Sequence, residues 1–85
     1  MPNQQTDAAR DDELIKLVLS ASKTDWLKVA MNIGRVNREC ESRDLAASYE
    51  EIASCIKSLS EAGRLESVGD ISNWRHSEVR LPATS

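Results

Sequence analysis

The densest run of chemically capable side chains is Trp74-Arg75-His76-Ser77-Glu78-Val79, with Arg80 next to it. A guanidinium offers a planar fork of donors to phosphate or carboxylate, an imidazole changes charge near neutral pH, and an indole gives a flat face for stacking. Together with Arg64, the residues Trp74, Arg75, His76, Glu78 and Arg80 form a candidate interaction surface. The competing reading is structural: Trp74 and Val79 fill the core, while Arg75 or Arg80 pairs with Glu66 or Glu78 across a strand ladder, each pair contributing roughly 0.2 to 1 kcal/mol.

The remaining chemistry is sparse. His76, Ser77 and Glu78 are adjacent, but alternation along a strand sends Ser77 to the face opposite the other two, so they would not converge as a triad. The single histidine, the lack of a glycine-rich phosphate loop and the lack of a nucleophile elbow point away from an enzyme. Cys40 and Cys55 have no histidine or further cysteine at metal-ligand spacing and fall on apolar helical faces, which makes them buried thiols rather than a disulfide or a metal site. No cofactor and no small-molecule substrate is expected.

For nucleic acid the candidate contacts are Arg35, Arg38 and Arg43, the one basic cluster, with Arg64, Arg75 and Arg80. Against them stand a formal net charge of −3 and a pI near 5.1, where polyanion binders usually show a basic face. The outward face of the third expected helix carries Glu50, Glu51 and Glu61 against Lys57, which would repel a phosphate backbone.

The elements that position these residues follow from periodicity. At 85 residues there is room for one domain, and 40% apolar with 29% charged residues is ordinary globular usage. Residues 1–8 are polar and expected to be disordered, 9–82 form the domain and 83–85 a short tail. A first helix starts near the acidic turn Asp11, Asp12 and Glu13 and ends near Ala21 or Ser22. A second is capped by Thr24 or Asp25 and places Trp26, Val29, Ala30, Ile33, Val36 or Asn37, and Cys40 on one face, with Gly34 inside it as a packing site or a kink. Glu41 to Ala47 connects to a third helix, opened by the capping box Ser48-Tyr49-Glu50-Glu51 and closed at Ala62-Gly63. Then the period shortens to two. Leu65 to Val68 and Trp74 to Leu81 read as strands, with Leu65, Val68, Val79 and Leu81 packed on the helices and a mobile loop from Gly69 to Asn73. The expected class is α+β, winged-helix-like, with three helices followed by a two-stranded antiparallel β-hairpin.

Glu61 to Glu66, Gly69-Asp70 and Trp74 to Pro82 resemble an uncharacterised bacterial family, domain of unknown function 3658. The resemblance is strongest over residues 49–82 and weaker back to residue 12. It implies a winged-helix-like fold and a shared hairpin motif, and brings no reaction or ligand with it. No signal-peptide pattern and no apolar run of membrane-spanning length is present, which makes a cytoplasmic location the expectation. The functional expectation is a non-catalytic module binding a protein partner or itself as a homodimer, with a DNA-binding transcription regulator using the wing and second helix as the alternative.

Overall fold

The computed structural model describes residues 7–82, with side chains from Asp11 onward. It is an α+β arrangement of three helices and a three-stranded antiparallel sheet. Of the tail 1–8 expected to be disordered, residues 7 and 8 belong to the first helix, because that helix begins before the acidic turn; residues 1–6 and the tail 83–85 lie outside the described residues. Helix α1 spans Asp7–Ala21, beginning a turn before the acidic residues that suggested its start. It buries Leu14, Leu17 and Val18. It closes where the Ser22 hydroxyl donates to the Val18 carbonyl at 2.7 Å.

The second helix differs from expectation. A two-residue strand β1, Leu27–Lys28, precedes α2, Val29–Ser42. Thr24 and Asp25 do not cap α2: Lys28 holds the cap position without a side-chain bond, and the Val29 amide donates to the Ser77 carbonyl at 3.0 Å. Tertiary structure thus supplies the acceptor that a capping side chain would give. Trp26 consequently leaves the apolar helix face, while Val29, Asn32, Ile33, Val36 and Cys40 are buried along it. Gly34 is exposed, and a Cβ there would meet nothing within 4 Å, so it is not a packing site. The chain reverses through Asp44 at φ 59°, with Leu45 donating back to the Cys40 carbonyl at 2.8 Å.

Helix α3, Tyr49–Glu61, opens on the expected capping box: Glu51 N–H donates to Ser48 Oγ at 3.1 Å and Ser48 N–H to Glu51 Oε1 at 2.9 Å. It ends at Gly63, φ 80°, the left-handed position that glycine occupies without a Cβ penalty. Ile52, Ile56 and Leu59 complete the core between the helices. Tyr49, the first residue of the helix, is half exposed.

The sheet has the order β1-β3-β2, where β2 is Glu66–Val68 and β3 is Glu78–Arg80. The expected hairpin therefore gains a third strand on its far side. In register, Leu27 and Ser67 flank Val79, and Val79 is fully buried. Ser67 reaches the Ser60 hydroxyl at 2.7 Å. Val68 was expected in the core but is exposed, because residues 65 and 68 cannot share a face at a period of two. The other expected strand is also shorter: Trp74–His76 form one 3₁₀ turn. Asn73 donates to the Asp70 carbonyl at 2.8 Å and His76 to the Asn73 carbonyl at 3.0 Å, so the connection is a pair of hydrogen-bonded turns. Gly69, φ 81°, permits its closure, since a Cβ there would sit 2.7 Å from the His76 carbonyl oxygen.

Candidate interaction surface

The outer face of the sheet is built by register. Antiparallel pairing sets Lys28 opposite Glu78 and Glu66 opposite Arg80, and Trp26, just before β1, lies beside Arg80. Two rows of side chains cross the sheet: Trp26, Arg80 and Glu66, then Lys28, Glu78 and Val68. In the first row the Arg80 guanidinium lies 4.3 Å from the Trp26 ring centroid and donates through Nε to Glu66 Oε1. Arg80 and Glu66 are 37% and 43% exposed, so their ion pair is screened and contributes little alone. The stack adds roughly 0.5 to 1 kcal/mol and holds the indole in one place. Trp26 nevertheless keeps 39% of its surface open, an unusual state for so large an apolar ring.

Beside this face, Arg75 and His76 project from the 3₁₀ turn, both exposed. Lys28 Nζ donates to the Arg75 carbonyl at 3.2 Å and ties the turn to β1. Trp74 is half buried and meets the Tyr49 ring edge-on at 6.2 Å, which links the turn to the start of α3. Trp74 to His76 form this turn instead of extended strand, yet Ser77 still faces away from His76 and Glu78, as alternation predicts: Ser77 is buried, its hydroxyl donating to the Asn73 carbonyl at 2.8 Å, while His76 is exposed.

The six residues of the expected surface therefore divide. Glu78 and Arg80 share the outer sheet face, Arg75 and His76 the adjoining turn, and Trp74 the packing beneath it. Arg64 lies apart, at the rim of a groove between α1 and α3. That groove of about 500 Å³ is lined by Leu14, Ile15, Leu59 and Ala62 together with Asp11, Glu51, Ser54, Cys55 and Ser58. Burial, and then the nearby Asp11 charge, push the Cys55 thiol above its usual range. Neither cysteine is in a disulfide; Cys40 is buried and Cys55 half buried.

The six arginines proposed for nucleic acid are likewise spread over three places. Arg35, Arg38 and Arg43 line a second groove of about 400 Å³ between α1 and α2. Arg43 pairs with Glu13 at 3.0 Å and Glu39 at 3.4 Å, so two carboxylates offset its charge. Arg64 belongs to the first groove, and only Arg75 and Arg80 lie at the sheet. The outward residues of α3, Glu50, Glu51, Ser54, Lys57, Ser58 and Glu61, are all exposed. Among the described residues, no group of three or more histidines, cysteines or carboxylates is placed to hold a metal ion, and no helix is long and apolar enough to cross a membrane.

Sequence reasoning missed Trp26, Lys28 and Val68 as surface neighbours of Arg80 and Glu78, while Glu66 was among the cross-strand partners it offered Arg80. A two-residue strand has no readable period, so the signal for Trp26 was absent. Alternation from Leu65 onward did carry the signal for Glu66 and Val68. Compared with known protein families, curated proteins and solved structures, the chain matches none, and its functional reading rests on geometry.

Proposed function

We propose that this chain is a non-catalytic interaction module of winged-helix type that binds a protein partner or itself through the outer sheet face and the adjoining turn. The order helix, strand, helix, helix, strand, strand and the sheet order β1-β3-β2 support the winged-helix reading. The observation that carries the functional reading is Trp26, held open on the sheet by Arg80 beside Glu66. Tryptophan and arginine are the side chains that dominate binding at interface centres, and a pre-ordered pair loses little rotamer freedom on contact. Val68 adds a second exposed apolar side chain on the same face.

A DNA-binding role has Lys28, bonded to the Arg75 carbonyl and one side-chain row from Arg80, in its favour, and the three carboxylates on the exposed side of α3 against it. The deciding experiment pairs two measurements. Tagged wild-type and Trp26→Ala proteins are used to capture partners from an extract, and labelled protein is titrated with a mixed-sequence duplex by NMR at low and physiological salt. Proteins retained by the wild type and lost by the variant support the protein-binding reading. Equal capture by both, with shifts at Arg75 to Arg80 that vanish with salt, would replace it with the DNA-binding one.

A further inference from the structure

We infer that the groove between α1 and α3 seats a second copy of this chain in a two-fold pair. The groove is an apolar trough with opposite charges at its two ends: Glu51 stands in the first turn of α3, with Asp11 facing the groove from α1, and Arg64 follows the C-terminal end of α3. At 1.5 Å of rise per residue the span from Glu51 to the end of α3 is roughly 15 Å, longer than the screening length of about 8 Å at physiological salt. Each end therefore presents its own sign to an approaching surface.

A trough polarised in this way is its own complement. Rotating a second copy by a half-turn about an axis through the middle of the groove lays Arg64 of each chain over the acidic end of the other, and apolar floor over apolar floor. A two-fold axis along the groove would set Arg64 on Arg64 and carboxylate on carboxylate, so charge favours the antiparallel two-fold pair over the parallel one. The half-buried side chains Ile15 and Cys55 lose their remaining contact with water on docking. So small a domain also gains proportionally more from covering apolar surface than a large one. The inference goes beyond the reading above, because it places self-association on a different surface and leaves Trp26 and Arg80 open in the pair.

The test is sedimentation equilibrium on the full chain, with circular dichroism confirming that each variant folds. The wild type should approach twice its 9.4 kDa mass as concentration rises. Arg64→Glu and Asp11→Lys should each weaken dimerisation by roughly tenfold or more, and the double variant should recover to within about threefold of wild type. Because Cys40 is buried, Cys55 is the thiol open to a short bismaleimide. In mildly alkaline buffer it should link wild-type chains in pairs and fail to link Arg64→Glu. A strictly monomeric wild type, or a double variant no better than the worse single one, overturns the inference; partner capture that depends on Trp26 would still stand, because it concerns the sheet face.

Discussion

Asn32 is fully buried on α2 and its Oδ1 has no hydrogen-bond partner among the described residues, while its Nδ2 donates to Ser22 Oγ at 3.0 Å. The amide cannot gain by turning over. Ser22 has one hydroxyl proton and gives it to the Val18 carbonyl, so Oγ is left to accept, and Nδ2 must face it. An orphaned buried acceptor costs about 1 to 3 kcal/mol, whereas the bond made by Nδ2 returns about 1 kcal/mol. Asn32→Leu keeps the branched shape at Cγ, removes the orphan, forfeits the Nδ2 bond and adds apolar surface to a core of Val18, Val29 and Val36. The expected balance is a stabilisation of about 1 to 2 kcal/mol. For a domain of this size that raises the melting midpoint by roughly 4 to 16 °C. Thermal and urea unfolding followed by circular dichroism would measure it, with an unchanged urea slope showing that the unfolded ensemble is the same. A variant less stable than wild type by 1 kcal/mol or more would refute the reasoning, and would mean that Oδ1 is satisfied by an ordered water that leucine displaces.

The two glycines that differ most in surroundings should respond in opposite directions. Gly34→Ala, in an exposed helix interior with open space around it, should stabilise by about 1 kcal/mol, measured by the same unfolding curves. Gly69→Ala should destabilise by about 1 to 3 kcal/mol, because the left-handed backbone and the His76 carbonyl both oppose a Cβ; amide exchange in residues 70–76 should rise with it. The Asp70 carboxyl is held below its ordinary range, first by the Ser72 hydroxyl and then by the Ser72 amide. Since the folded value is depressed, its contribution to stability is present above the unfolded value near 3.8 and fades as pH falls through the folded one. An NMR titration should show Asp70 moving up toward its ordinary value in Ser72→Ala; an unmoved carboxyl would show that the hydroxyl is not the cause.

Much of the fold was legible before any coordinates. The capping box at Ser48, the glycine stop at Gly63, the apolar stripe Ile33, Val36, Cys40 and the α+β class all depend on interactions between residues close in sequence, and local chemistry is what a sequence displays. The pairing of Arg80 with Glu66 was also foreseeable as one of four cross-strand options. Other features were decided by tertiary structure. Strand β1 exists because Leu27 and Lys28 pair with Val79 and Glu78 some fifty residues away, and the first amide of α2 finds its acceptor at Ser77 rather than at Thr24 or Asp25. The same long-range pairing lifts Trp26 off the helix face and sets it against Arg80, which creates the candidate surface. Trp74 to His76 could have continued the strand, but closure of the loop at Gly69 favours a 3₁₀ turn. Periodicity reports which face of an element is apolar; it carries no information about which distant backbone group will complete an element's hydrogen bonds, and that completion decided where the sheet begins and what it displays.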